Sequence, residues 1–394
     1  MQHFFTTMAL TAGIPFLTVP QEKITYEEPI PAVVQEESST QYGETAYEDP
    51  ILAQKEGVTE YEEPIKTPEE IQRDLEQDEI LFKQALEMFN PWYAGPLLTG
   101  GAHMMPPGVG VIQPYVFVTD TYALWDSERK TVHIHDNWSV NPSISPILVG
   151  LTDWLDMAFS IQGFYNWQRD SHDKVRDGGG YGDCTLGVGF PLMKEDLKKP
   201  AIKFVFNETF PTGKYQRLNP SKIGLDATGA GSFQSQFGLR ISKLYFWSRK
   251  HPVNLRAAYS YTIPSRVHVR EFNSYGGSDG TAGTVNPGNY QQANAAFEYS
   301  FTQKWVFALD AVYTWKNKTK FHGTPGFTST GALATVGGGS NDQLSFAPAI
   351  EYNPTPILNF LAGVWFDVYG RNTGQFVSGI VSVAYTFSVG QGKY

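Results

Sequence analysis

Eight charged side chains fall in stretches where apolar and polar residues otherwise alternate: Asp156, Lys203, Arg240, Arg256, Glu298, Asp310, Glu351 and Asp367. Alternation with period two marks a strand with two unlike faces, and the charges belong to the polar parity. Acids and bases sharing one face can line a water-filled passage, or can pair and close it. If the opposite face meets lipid, an unpaired Arg or Lys there costs about 2 to 4 kcal/mol at the midplane, so inward placement is expected. Residues 357–370 are apolar on both parities, so alternation alone does not decide the face of Asp367.

No catalytic residue is assigned. His133 and His135, in VHIHDNW, share one strand face, the spacing of a strand-borne metal pair. Two imidazoles without an identifiable third ligand do not make a metal site, and neither metal nor cofactor is expected. Ser139 lies near His135 in sequence, but a hydrolase needs nucleophile, base and orienting group to converge, so the ordinary reading is solvated strand polars. Cys184, the single cysteine, has no intramolecular disulfide partner and reads as a small strand residue. DGGGYGD and GGGSND lack the lysine of a phosphate loop and a strand-to-helix setting, so both are read as connecting loops.

The elements that must carry these residues are strands. In GLTDWLDMAFSIQGFYNW, residues 150–167, Met157, Phe159, Ile161, Tyr165 and Trp167 share one parity, while Asp156, Ala158, Ser160, Gln162 and Asn166 share the other. The same grammar predicts strands over 108–125, 131–150, 154–168, 180–194, 200–211, 231–246, 253–269, 289–302, 304–320, 342–354, 357–370 and 374–387. These are twelve, an even number, as in single-chain bacterial barrels.

Connections after the even strands are short: TD, KEDLKK, SRKH, TQ and NPTP. Those after the third, fifth, seventh and ninth are long and glycine-rich, and only DSERK and RNTG are brief on that side. Transmembrane barrels segregate short periplasmic turns from long outer loops in this way. Aromatic residues form two tiers. Trp154, Phe246, Trp247, Phe301, Trp305, Tyr352 and Phe387 fall near the short-turn rim, and Tyr165, Trp167, Tyr261, Tyr313, Trp315 and Tyr369 near the other. Amphipathic rings at two levels suit two membrane interfaces. The apolar parity is therefore expected to face lipid and the polar parity a lumen.

Composition agrees and adds a second region. The chain has 394 residues, 14% aromatic and 18% charged, with 38 Gly and no apolar run long enough for a helical span. Residues 21–90 hold 19 of the 40 acids and 5 of the 30 bases, a net of −14 that leaves +4 on the remainder. TYEEPI, AYEDPI and EYEEPI repeat within it, and residues 21–66 read as a flexible acidic segment. The acid-flanked Tyr26, Tyr47 and Tyr61 are a by-product of that bias. Thr67, Pro68 and Glu70 then announce an amphipathic helix over 67–90. Residues 1–20 have an apolar middle without a basic flank, an atypical signal segment. Residues 91–394 are assigned to the barrel. An acidic segment before a nearly balanced barrel gives no basic surface for nucleic acid.

LVGLTDWLDMAFSI, GYGDCTLGVGFPL and NETFPTGKY, in that order, resemble the successive signatures of the outer-membrane family named for the meta-pathway of phenol degradation. The resemblance spans roughly residues 105–394. GIVSVAYTF, ending in Phe387, is similar to a terminal strand read by barrel-assembly machinery, although SVGQGKY follows it. The resemblance implies a barrel that moves small, hydrophobic or aromatic compounds across a Gram-negative outer membrane, without establishing phenol as the solute.

The expectation is an all-β, antiparallel transmembrane β-barrel of about 12 strands, with the N-terminal segment in the periplasm. It would serve as a passive channel or uptake protein. A structural or surface-interaction barrel with a closed lumen, and a barrel hydrolase, are the alternatives. Outer-membrane lipids, a small-molecule solute and the barrel-assembly machinery are the expected partners. The oligomeric state is open.

Overall fold

The computed structural model describes residues 67–89, 92–170, 173–248 and 251–388. The signal segment, the acidic repeats and the tail after Ser388 lie outside these residues. The chain divides into two compact units, one over residues 21–84 and one holding the remainder.

In the first unit, α1 (Pro68–Phe89) begins at the expected capping box. Thr67 Oγ1 accepts the Glu70 N–H at 3.3 Å, and Glu70 Oε2 accepts the Thr67 N–H at 2.8 Å. Two orphan donors of the first turn are thereby satisfied. Ile71, Leu75 and Ile80 are exposed along the helix.

The second unit is built of strands. They are β1 (Val109–Trp125), β2 (Thr131–Thr152), β3 (Leu155–Arg169), β4 (Val175–Tyr181), β5 (Cys184–Met193), β6 (Ala201–Phe210), β7 (Gln234–Ser248) and β8 (His251–Pro264). Then come β9 (Val267–Arg270), β10 (Ala282–Asn286), β11 (Tyr290–Ser300), β12 (Trp305–Lys316), β13 (Lys320–Thr324), β14 (Asn341–Thr355), β15 (Leu358–Arg371) and β16 (Thr373–Ser388).

Twelve of them form the wall, in the order β2-β1-β16-β15-β14-β12-β11-β8-β7-β6-β5-β3, and β3 pairs back onto β2. Every neighbour is antiparallel and the ring is closed, so it has no free edge. Along β16 the exposed Val377, Val381, Val383 and Tyr385 alternate with the buried Ser378, Ile380, Ser382 and Ala384. The same alternation bares Met157, Phe159 and Ile161 on β3, and Val364 and Val368 on β15. The outer face is thus a continuous apolar band, far more than a water-facing surface carries.

Three strand boundaries differ from expectation on the long-loop side, those of the strands expected over 180–194, 253–269 and 304–320, the last ending at Lys316. The strand expected over 180–194 is two pieces. β5 pairs with the lower half of β3, and β4 pairs with its upper half, beyond a break at Gly182 and Asp183. The DGGG run therefore lies in a strand and not in a loop. Its glycines admit neighbouring backbone: a Cβ on Gly178 would lie 2.6 Å from the Leu225 carbonyl carbon, and one on Gly179 would lie 2.2 Å from the Phe164 oxygen. The strand expected over 253–269 stops at Pro264, whose ring cannot donate to a ladder. Residues 267–270 and 320–324 instead join 282–286 in a separate sheet, ordered β13-β10-β9. Val267, Val269, Val285 and Tyr275 form its small core.

The three family-like motifs are structural joints in this fold. Asp183 accepts the Gly213 and Ala230 N–H groups at 2.9 and 2.8 Å, and Thr212 Oγ1 donates to the Gly182 carbonyl at 2.9 Å. The Gly-Asp and Pro-Thr-Gly signatures thus clasp one another. Gly150, from the first motif, lets residues 105 and 106 approach: a Cβ there would lie 2.2 Å from the Pro106 carbonyl oxygen.

Candidate functional site

The inner face of the wall is not uniform. On β1, β12, β14, β15 and β16 it carries Tyr115, Phe117, Ala308, Val312, Ala347, Leu361, Trp365, Phe376 and Ile380, an apolar arc. On β3, β6, β7, β8 and β11 it carries Asp156, Lys203, Asn207, Gln236, Arg240, Arg256 and Glu298. Aliphatic side chains facing a barrel interior must be covered.

They are covered by residues 92–106, a stretch without strand or helix that loops into the lumen from the short-turn end. Trp92 enters beside two short turns: its carbonyl accepts from Asn353 Nδ2 at 2.9 Å. Ser300 Oγ donates to Tyr93 Oη at 2.9 Å. Ala94, Leu97 and Leu98 then pack into the apolar arc. At its apex the Leu98 carbonyl accepts from Asn294 Nδ2 at 3.2 Å. The strap crosses to the charged arc, where the Ala102 N–H donates to Ser242 Oγ at 2.9 Å, and returns to the short-turn end at Met105, which packs on Val111 and Leu148.

A strap in a closed barrel has no strand edge to pair with, so side chains must accept its buried amides. Glu351 Oε2 accepts the N–H groups of Ala94 and Gly95 at 2.7 and 3.3 Å, and Asp310 Oδ2 accepts that of Leu98 at 3.2 Å. Hydrogen bonds to charged groups contribute about 1.5 to 3 kcal/mol each. On the return limb, His103 Nε2 and Glu195 Oε2 lie 2.7 Å apart, while Glu195 Oε1 takes the Leu244 N–H at 2.7 Å and Lys243 Nζ at 3.2 Å. Burial pushes the Glu195 carboxyl up, but these donors outweigh it, and its pKa lies below the ordinary carboxylate value.

All eight charged residues singled out in sequence are buried, none more than 7% exposed. The fold sorts them into four groups. Lys203 pairs with Asp156, and Arg256 forks onto Glu298 through Nε and Nη2 at 2.6 and 3.0 Å. Asp310 and Glu351 hold the strap. Asp367 stands apart, accepting the Trp125 indole N–H at 2.5 Å and the Phe376 N–H at 2.7 Å. Arg240 remains, between the two ion pairs and in neither.

The rim aromatics lie as follows. Trp154 and Trp305 are exposed at the short-turn end, and Trp305 packs on Tyr352 with ring centroids 4.5 Å apart. Phe387, half-buried, is on β16 at the same end. At the other end Trp167 stacks on Trp138 at 6.1 Å, Trp315 is half-buried, and exposed Tyr369 has the Arg129 guanidinium 4.3 Å over its ring. Trp247 is in β7, with its side chain outside the described ones. His133 is exposed on β2, and the His135 side chain is likewise outside the described ones.

The strap was not foreseen, although two signals pointed to it. PWYAGPLLTGGAHMMPPG is too apolar for a surface connection, and residues 357–370 are apolar on both parities because the inner face of β15 meets Leu97 and Leu98.

No family model and no curated protein matches this chain. Among solved structures it is similar to an outer membrane channel from Pseudomonas putida F1, with a TM-score of 0.57, 13% identity, and coverage of 73% of this chain and 98% of that one. The fold is shared. The CymD monoaromatic hydrocarbon channel is also matched, with a TM-score of 0.33 and 11% identity over 72% of this chain and 89% of that one, too low to carry an argument.

Proposed function

We propose that this protein is an outer-membrane channel for passive entry of small molecules, with the strap as its resident constriction. The observation that carries this reading is a closed barrel, apolar outside, whose inner face is polar and charged along one arc and sealed by a non-strand segment along the other. A barrel needed only for mechanical support has no use for buried ion pairs that cost several kcal/mol each to desolvate. The apolar character of the strap and of the surfaces it covers favours small hydrophobic or aromatic solutes. The short-turn end, where the strap enters, would face the periplasm. The rim aromatics Trp154, Trp167, Trp247, Trp305, Trp315, Tyr369 and Phe387 would anchor the two interfaces, and outer-membrane lipids would surround the apolar band.

The test is solute flux into liposomes carrying the refolded protein, with folding verified by heat-dependent gel mobility. Faster entry of small aromatic solutes than into protein-free liposomes is expected. A folded barrel giving no flux for any solute would instead favour a closed-lumen structural role, the reading that the filled apolar arc otherwise supports.

A further inference from the structure

Beyond the long-loop rim, the small loop sheet repeats the wall beneath it. Its strands β9, β10 and β13 neighbour one another in the order of β8, β11 and β12, and they keep the same register. Thr262 lies opposite Tyr290 and Val267 opposite Val285, five residues further along one strand and five back along the other. Lys316 and Lys320 lie opposite Tyr290 and Asn286 in the same way. The sheet is therefore the continuation of three wall strands, interrupted where Pro264 and Pro287 cannot donate to a ladder.

Its two faces differ. Val267, Val269 and Val285 are covered by Tyr215 and Tyr275. The Tyr275 hydroxyl donates to the Ala230 carbonyl at 2.6 Å, and in the same loop between β6 and β7 the Leu225 carbonyl accepts from Nδ2 of inward-facing Asn166 at 3.0 Å. The covered face is thus the one closed over the lumen, and the other is turned away from it. That other face is basic. On one side of β10 stand Arg266, His268 and Arg270, and on the other Lys318, Lys320 and His322, all exposed. Between them β10 presents only Ala282, Thr284 and Asn286. The four Arg and Lys side chains form no ion pair among the described residues, and Glu271 and Asp279 lie beyond the far end of the sheet. The two basic rows are roughly 10 Å apart across β10, with about 7 Å between successive side chains along a strand. Such a face fits an anion carrying more than one charge.

On the outer wall beneath it, Ala293 lies opposite Tyr259 on one neighbour and Tyr313 on the other. These rings and Trp315 enclose a groove of about 340 Å³, within the size range of ligand pockets. Further down, Ala295 lies between Ala257 and Ala311, so no bulky side chain blocks the groove toward the midplane. Amphipathic rings sit at headgroup level, and Lys318 is only three residues, roughly 10 Å, beyond Trp315. The groove and the basic face are therefore stacked across the membrane surface.

We propose that this sector of the barrel docks a phosphorylated glycolipid of the outer leaflet, with one acyl chain in the groove over Ala293 and its phosphates on the basic face of the loop sheet. The site rests on the long loops facing outside and does not depend on whether the lumen conducts. Basic side chains near a membrane surface attract anionic headgroups, and here two rows of them stand above a seat for the chain.

The experiment is native mass spectrometry of the full-length, refolded barrel in a non-ionic detergent, titrated with diphosphoryl lipid A, with monophosphoryl lipid A and, separately, with inorganic pyrophosphate. Wild type is compared with an Arg266→Ala, Lys318→Ala, Lys320→Ala triple variant and with Ala293→Trp, each verified as folded by heat-dependent gel mobility. Wild type should retain the diphosphoryl lipid at a concentration on the order of tenfold lower than the monophosphoryl one, and the triple variant should lose that preference. Ala293→Trp, which fills the groove, should weaken retention of both lipids. Equal retention of the two lipids by the wild type, or an unchanged preference in the folded triple variant, overturns the headgroup site. Pyrophosphate binding by the wild type, together with unchanged lipid retention by Ala293→Trp, assigns the face to a soluble oligophosphate and overturns the lipid. If the triple variant does not fold, Lys320→Ala alone, at an exposed position, decides in the same way.

Discussion

The two arcs of the inner wall meet the same strap by different physics. On the apolar arc, Leu97 and Leu98 bury against Leu361, Trp365 and Ile380, and the gain scales with area. The same arc also supplies Asp310 and Glu351 to the amides of Ala94, Gly95 and Leu98, whereas on the charged arc the strap touches little apolar surface and is positioned by neutral hydrogen bonds such as Ala102 N–H to Ser242 Oγ. The first contact is tolerant of small displacements and the second is not. The contrast implies that the entering limb, from Trp92 to Leu98, holds the strap in place, while the returning limb, from Ala102 to Met105, sets its register and is the side that can let go.

The largest effect is expected where backbone meets backbone. Gly150→Val puts a Cβ about where the Pro106 carbonyl now sits, so the returning limb cannot seat. The temperature at which the folded gel band converts should drop sharply, and a wild-type value would show that this limb is not held as described. Next comes Leu97→Ala, which should cost about 2 to 4 kcal/mol by opening a cavity in the apolar arc. Ser242→Ala, on the opposite side, removes one buried acceptor and should cost about 1 to 3 kcal/mol. Chemical denaturation of both variants ranks the arcs, and a larger loss in Ser242→Ala would reverse the assignment of the holding limb.

A pH effect of intermediate size belongs to the returning limb. The folded pKa of Glu195 is below its ordinary value of 4.5, so its stabilisation is fully present above that value and is lost as pH falls through the lower folded one. Protease cleavage within residues 99–106 should stay slow from pH 7 to 5 and rise only in stronger acid. Glu195→Gln should abolish the acid-side dependence, and cleavage that rises between pH 7 and 5 would assign the latch to another group. The smallest effect is expected outside both arcs. Lys130 and Glu128 form an ion pair with both side chains mostly exposed, and Lys130→Ala should leave thermal conversion within error of wild type.

The wall was legible because its signal is repetitive. Each strand restates the same alternation, and the segregation of short and long connections provides a second, independent reading of the same barrel. The inward set was legible for the same reason, since parity alone separates Arg240 or Glu298 from outward-facing Leu239 or Phe297. Partnerships within that set were not. Lys203 meets Asp156, and Arg256 meets Glu298, only through strand register, which alternation does not encode across long loops. The strap escaped because residues 92–106 have no period at all. Their traces are their own apolar composition, unusual for a connection, and a strand whose inner face is apolar because it covers something. The small loop sheet escaped because strands of four or five residues alternate too briefly to stand out from the connections around them.

The channel proposal requires that buried carboxylates hold a strap that narrows the lumen. Single-channel conductance in planar bilayers tests it most directly, comparing the wild type with a Glu351→Ala, Asp310→Ala double variant whose fold is verified by heat-dependent gel mobility. Removal of the acceptors for the amides of Ala94, Gly95 and Leu98 should free the entering limb and produce larger, more frequent openings than the wild type shows. Conductance identical in the two folded proteins would contradict the claim that the strap is the constriction.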